Sequence, residues 1–420
     1  MAQKPQDNPK QSGDSTSDRS ETAGNPVRPL AGLKVIELGQ LIAGPFAAKI
    51  LGEFGANVIK IEPPGGDPLR KWRYVHEGTS VWWAAHARNK RSMTLDLRQP
   101  EGQDVIRQLV KDADILIENF RPGQMEKWGL GYTSLSQINP GLIMLRVSGY
   151  GQSGPYRDRP GFGVIGEAMG GLRYLSGEPG RPPVRVGVSI GDTLSGLHGV
   201  IGVLMALRHR EQQGGLGQEI DVALYESVFN MMESLLPEYS KFGAVRQPSG
   251  ASMPGIAPTN AYRCKDGKYA LIAGNGDSIF KRLMTLIGRQ DLADDPALAD
   301  NPGRAAQADK LDNAISAWSE QHDLDDVLNA LNAAGVPCGK SYDAADIASD
   351  PHYRARDMIL STTLPDGSPI EVPGIVPKLS RTPGQVDRLA PGLGEHTGEI
   401  LDELGIDAQT REDWQRRGII

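Results

Sequence analysis

The stretch Leu33–Glu62 limits the fold more than any other part of the chain. Leu33-Lys34-Val35-Ile36-Glu37-Leu38 reads as a strand, and Ala43-Gly44-Pro45 opens a helix that runs through Leu51. Asn57-Val58-Ile59-Lys60-Ile61-Glu62 reads as a second strand. Short apolar runs rich in β-branched residues, joined by a helix with proline in its first turn, make a βαβ unit of the mononucleotide-binding kind. The pattern then repeats: strand Met93–Leu97, helix Pro100–Lys111, strand Asp114–Glu118, a short helix near Gln124–Trp128, and strands Leu142–Val147 and Gln218–Ala223. The expectation is an α/β fold around an open parallel sheet.

In such a sheet, ligands sit beyond the carboxyl ends of the strands. The loops at 96–98, 119–121 and 148–151 should therefore converge on one crevice. The Gly-rich run Ser148–Pro155 reads either as a backbone nest for an anion or as a plain loop. A nicotinamide dinucleotide is not expected. The first turn reads Gly39-Gln40-Leu41-Ile42-Ala43-Gly44 and lacks G-x-G-x-x-G, although Glu62 ends the second strand where a ribose-binding acid would stand.

The chemistry is placed on the stretch VRVGVSIGDTLSG, Val184–Gly196, with Asp192 at its centre. Val184, Val186, Val188 and Ile190 alternate with Arg185, Gly187 and Ser189, which predicts a half-buried strand. Gly191 breaks it, and Asp192 leads into a helix reaching about Arg210. On its own, an aspartate there is an ordinary N-cap. The same position lowers a carboxylate's pKa and keeps it ionised, and an ionised carboxylate is a covalent nucleophile.

The remaining sequence sets the surroundings. A chain of 420 residues is long for one compact core, so two domains or a heavily intertwined assembly are expected. Residues 1–29 are polar and read as a disordered tail. Segments 30–222 and 335–420 are assigned to a large domain, and 223–334 with its linkers to a smaller one. The smaller segment carries a helix over Leu224–Phe242, a Gly/Pro/Ser-rich mobile loop over Pro248–Pro258, and a hairpin with Asp266-Gly267 at its turn. A formal net charge of −7 gives no reason to expect nucleic acid or a membrane as partner. Two distant cysteines, Cys264 and Cys338, offer neither a disulfide framework nor a metal pattern, and a reducing cytoplasm is expected. The longest apolar run, near Val200–Leu207, is too short to span a bilayer, and the N-terminus lacks the apolar core of a signal peptide.

Taken in register, eight stretches resemble the family III CoA-transferases. They are Ala43-Gly44-Pro45, Gly55–Glu62, Asn89-Lys90-Arg91-Ser92, Glu118-Asn119-Phe120, Gly149-Tyr150-Gly151, Gly191-Asp192, Gly335-Val336-Pro337 and Gly394-Glu395-His396-Thr397. The resemblance implies a Rossmann-like large domain built from both chain ends, an inserted smaller α/β domain, and a homodimer whose subunits interlock. It puts the nucleophile on Asp192 and the coenzyme A site on Ile42, Ala43, Leu95, Asp96, Leu97, Arg98, Asn119, Phe120, Arg121, Lys127, Arg159 and Phe162. Coenzyme A would be a substrate, with no permanently bound cofactor and no metal. The partners would be an acyl-CoA, succinyl-CoA or similar, and a small carboxylic acid. Arg70, Arg157, Arg173 and Arg185 are candidates to meet a second carboxylate on the acyl group.

The chain departs from some family members at Ile42, where they carry Gln, and at Pro63, where they carry Arg. Gly250–Pro258 also has only scattered glycines where relatives have a continuous run. Two other readings compete. An α-methylacyl-CoA racemase pairs the aspartate with a histidine, but the equivalent run here is Gly161-Phe162-Gly163, and His198, His209 and His396 fall elsewhere. A non-catalytic CoA-binding protein would have no use for Asp192.

Overall fold

The computed structural model describes residues 27–420. The expected disordered tail, 1–29, lies outside the described residues except for its last three. There Arg28 already pairs with Asp387 at 2.5 Å, and the Leu30 N–H donates to the Phe54 carbonyl.

Six strands form the main sheet: β1 (Lys34–Glu37), β2 (Asn57–Glu62), β3 (Lys90–Thr94), β4 (Ile115–Glu118), β5 (Ile143–Ser148) and β6 (Glu219–Ala223). Their spatial order is β3-β2-β1-β4-β5-β6 and every pairing is parallel. This is the doubly wound Rossmann order, in which the connection reverses beside β1. The strands β1, β2, β4 and β5 carry apolar side chains on both faces because both faces are covered. Ile36, Leu38, Ile59, Ile61, Leu116 and Met144 face a core completed by α2 (Pro100–Val110) and, from the far end of the chain, by Ile400, Leu401, Trp414 and Ile419. Val35, Val58, Ile115, Ile117, Ile143 and Leu145 face the other core, with α1 (Ala43–Glu53) and Val200, Val203, Ala206 and Leu207.

The expected strand Met93–Leu97 forms three residues earlier, as β3. This leaves Leu95–Arg98 as the loop at its carboxyl end. The strand expected over Val184–Ile190 does not form. That segment is irregular, and Val184 and Val188 are 53% and 61% exposed. An alternating pattern becomes a strand only where another strand pairs with it, and none does here.

After α3 (Gly163–Met169), the helix α4 starts at Ile190 itself and runs to Gln212, so Ser189 is the N-cap and Asp192 lies within the first turn. Its 23 residues are long and apolar enough to cross a bilayer, which the run Val200–Leu207 had not indicated. Here one face of α4 packs on the sheet, where Gly199 approaches Leu145.

The helix expected over Leu224–Phe242 breaks into α5 (Leu224–Phe229) and α6 (Leu235–Phe242), with Glu233 between them at φ +49°. Leu224 belongs to the sheet's core, so the large unit extends past residue 222. A second sheet contains β7 (Thr259–Arg263), β8 (Tyr269–Ala273) and β9 (Cys338–Lys340), antiparallel in the order β9-β8-β7. A separate apolar core surrounds it, from Tyr262 to Val336. Because β9 pairs with β8, a boundary at 335 cuts this unit before its last strand.

Candidate active site

The first βα turn is shaped from beneath by buried charges. Lys60 and Lys90 are buried, and both pair with Glu37, at 3.0 and 2.8 Å. Lys60 also meets Asp67 at 2.9 Å and donates to the Gly39 carbonyl, while Lys90 donates to the Pro45 carbonyl at 2.8 Å. Buried ions persist only when paired and hydrogen-bonded in this way. Asp67 accepts from the Leu41 N–H at 3.1 Å, fixing Leu41 in the left-handed region at φ +64°. Asn119, at the end of β4, closes the turn from above. Its Oδ1 accepts from the Gln40 N–H and its Nδ2 donates to the Gln40 carbonyl, both at 2.8 Å. The Asn119 amide is therefore engaged with the backbone of Gln40, which lines both cavities at the strand ends.

Two cavities open at the carboxyl ends of the strands and share Gln40 and Phe120 as walls. One, of about 180 Å³, is lined by Ile42, Ala43, Asn119, Phe120, Ser148, Phe162 and Asp192 among others. The second, of about 290 Å³, gathers Leu95, Asp96, Leu97, Arg98, Phe120 and Trp128. The expected convergence of loops 96–98, 119–121 and 148–151 is thus largely realised. Asp96 forms a bidentate pair with Arg98, at 2.8 Å to each oxygen, so the loop's charges are balanced within it. Arg121, Lys127 and Arg159 are exposed and line neither cavity. Arg159 stacks on Tyr156, with its guanidinium 3.6 Å from the ring centre.

Asp192 sits where two helix starts touch. A Cβ on Gly163 would stand 2.1 Å from Asp192 Oδ2, and one on Gly191 would stand 3.0 Å from the Gly163 carbonyl oxygen. Only glycines allow this approach. Burial, and next the negative charge of Glu167, push the Asp192 carboxyl up from 3.8 to about 6, against the pull of Arg185 and a backbone hydrogen bond. A helix N-terminus by itself would lower the value. The loss of water and the like charge outweigh the helix field here. At neutral pH the group is still largely ionised, and it is more basic than a free aspartate.

Two neighbours escaped the sequence reading. Glu167, on α3, is fully buried. Nothing in its local sequence marks it, since only the packing of α3 against α4 brings it toward Asp192. His86 stacks on Phe46, sits 3.2 Å from the Ile42 carbonyl, and lines a third cavity of about 450 Å³ with Arg73, Trp82 and Thr193. Burial drives its pKa down to about 3, so the ring is neutral. Among the described residues, no histidine lines the Asp192 cavity. Among the described residues, no group of three or more His, Cys, Asp or Glu side chains is placed to hold a metal ion.

A doubly wound sheet with a partly buried carboxylate beside a split crevice at its switch point is an α/β protein whose candidate reactive group stands where such sheets bind their ligands. Comparison with known proteins gives the family. The profile described as CoA-transferase family III matches residues 30–397. The succinyl-CoA–D-citramalate CoA-transferase of Chloroflexus aurantiacus is 48% identical over 90% of this chain and 94% of its own. The beta subunit of succinyl-CoA–L-malate CoA-transferase from the same organism is 45% identical over 93% and 98%. The crystal structure of a CAIB/BAIF family protein from Brucella suis superposes with a TM-score of 0.79 at 37% identity, covering 90% of this chain and 99% of that one. This chain belongs to CoA-transferase family III, and it moves coenzyme A between an acyl-CoA and a carboxylic acid.

Proposed function

We propose that the enzyme takes coenzyme A from succinyl-CoA and delivers it to a small dicarboxylic acid, with Asp192 as the covalent carrier. The relatives named for citramalate and malate, at 48% and 45% identity, support this substrate class. The observation that carries the mechanism is the Asp192 carboxylate itself, ionised yet raised in basicity, on the wall of a crevice at the strand ends.

A carboxylate oxygen of Asp192 attacks the thioester carbonyl carbon. The C–S bond breaks, giving a mixed anhydride and CoA thiolate. The thiolate attacks the Asp192 carboxyl carbon and expels the donor acid, leaving an aspartyl-CoA thioester. The acceptor carboxylate attacks that carbon and again expels thiolate. The thiolate then attacks the acceptor's acyl carbon, releasing the new acyl-CoA and the free aspartate. The two anhydrides and the thioester are water-sensitive, so exclusion of water protects them. Leu95–Arg98, Asn119–Arg121, Lys127 and Arg159 are assigned to the coenzyme, the exposed cations to its phosphates.

The assembly belongs to this proposal. Leu197, Ile201, Leu204 and Met205 expose an apolar face of α4, and Phe162 and Phe242 are 68% and 78% exposed. Apolar exposure on this scale fits a covered interface, here an interlocked homodimer. Relatives named as alpha and beta subunits make a pair of two related chains the competing assembly. Light scattering of the protein purified alone tests it, and a monomer would refute the homodimer. The carrier role is tested by quenching turnover with hydroxylamine or borohydride and mapping the adduct by mass spectrometry. Modification on any residue other than Asp192 would overturn it.

A further inference from the structure

Glu167 presents an unusual arrangement. It is fully buried, and neither of its carboxylate oxygens accepts a hydrogen bond among the described residues. Burying a carboxylate is costly unless opposite charge compensates it. The compensation comes from two arginines at ion-pair distance, Arg173 Nη1 at 3.5 Å and Arg185 Nε at 4.0 Å. Neither closes a hydrogen bond on the carboxylate. Arg173 Nη1, although buried, donates to no group among the described residues. By contrast, Arg98, Arg70 and Arg146 are spent on Asp96, Glu62 and Glu118.

We propose that Arg173 and Arg185, gathered by the buried Glu167, form a subsite beside Asp192 that binds the remote carboxylate of a dicarboxylic acyl group. This rests on the dicarboxylate reading given above.

Charge supports it. With Asp192 ionised, two arginines balance two carboxylates. When Asp192 is acylated or thioesterified its charge disappears, and the cluster is left one positive charge in excess. A second carboxylate on the acyl group restores the balance, whereas a monocarboxylic acyl group leaves the excess unmet.

Reach also supports it. The carboxyl carbons of a four-carbon diacid are separated by three C–C bonds, roughly 4 Å apart when extended. With the anhydride link to Asp192 and one ion-pair distance added, the recognising cation must then lie within roughly 10 Å of the reacting carboxyl carbon. Glu167 lies one helical turn along α3 from Gly163, whose missing Cβ admits the Asp192 carboxylate, and Arg185 reaches Glu167 at 4.0 Å. The side chains of Arg185 and Arg173 are 51% and 28% exposed, so a ligand can reach them, while Glu167 lies behind at 0%. Arginine suits the task because its planar fork grips a carboxylate at two points.

The test compares two self-exchange reactions of the full-length enzyme, labelled succinate into succinyl-CoA and labelled butyrate into butyryl-CoA. The readout is the ratio of their kcat/KM values. In Arg185→Gln and Arg173→Gln this ratio should fall about 10- to 100-fold, the loss of one charge-assisted bond. Arg185→Lys should recover part of it. Glu167→Gln should lower it in the same direction, by loosening both arginines. A ratio that stays at the wild-type value in both arginine variants overturns the subsite and leaves the dicarboxylate reading intact. A wild-type ratio near one overturns the dicarboxylate reading itself, and the subsite with it.

Discussion

Replacing Asp192 with asparagine should make the protein more stable at neutral pH while abolishing its activity. Folding raises the Asp192 carboxyl from 3.8 to about 6, chiefly by burial and secondly through Glu167. Below about pH 4 the carboxyl is protonated in both the folded and unfolded chain, and burial costs nothing electrostatic. Between about 4 and 6 the unfolded chain ionises first, so the native state loses stability as pH rises. Above about 6 the penalty is complete. Its ceiling is about two tenfold steps in proton affinity at about 1.4 kcal/mol each, or roughly 3 kcal/mol. Asp192 lines an open cavity, and screening by solvent brings the figure below that ceiling. Asparagine keeps the shape and removes the charge. Melting curves of wild type and Asp192→Asn should coincide near pH 4 and separate by a few °C at pH 7.5, the variant higher, while succinyl-CoA exchange is lost. A variant no more stable than wild type at pH 7.5, or a difference that does not change with pH, would refute the reasoning.

Three further outcomes follow from the same geometry. The kcat/KM of exchange should fall on an acid limb centred near pH 6, where Asp192 takes up its proton. Glu167→Gln should move that limb to lower pH, because the neighbouring negative charge is removed, and an unmoved limb would assign it to another group. Gly163→Ala places a methyl group 2.1 Å from Asp192 Oδ2. The carboxylate must swing aside, and kcat should drop at least about 100-fold with the fold intact by circular dichroism, since small misplacements of a reacting group cost that much. Asn119→Ala breaks both bonds to Gln40. It should destabilise by about 1–3 kcal/mol in urea titrations and raise the KM for acyl-CoA, and an unchanged KM would separate the turn from the coenzyme site.

The central strands were readable in the chain because they carry their own signal. Val35 and Ile36, or Leu116 and Ile117, are apolar on both sides of the strand, which only a strand covered on both faces requires. Asn57–Glu62 and the start of α1 at Ala43 formed within the expected bounds for that reason. Asp192 also stood out, as an acid at the head of a long apolar helix beside a glycine.

What the chain did not reveal depends on neighbours far away in sequence. Val184–Ile190 has the alternation of a strand, but strand formation is decided by a pairing partner, and none is there. The end of the second unit at Lys340 follows from β9 pairing with β8, nearly seventy residues earlier. Glu167 lies 25 positions before Asp192, and the packing of their two helices, closest at Gly163 and Gly191, brings the two carboxylates toward each other. Local pattern fixes which segments bury their side chains, because burial follows from each residue's own polarity. Whether a carboxylate is held ionised at a helix end or pushed up toward 6 is a matter of dielectric and of charges across space, and these exist only once the chain has folded.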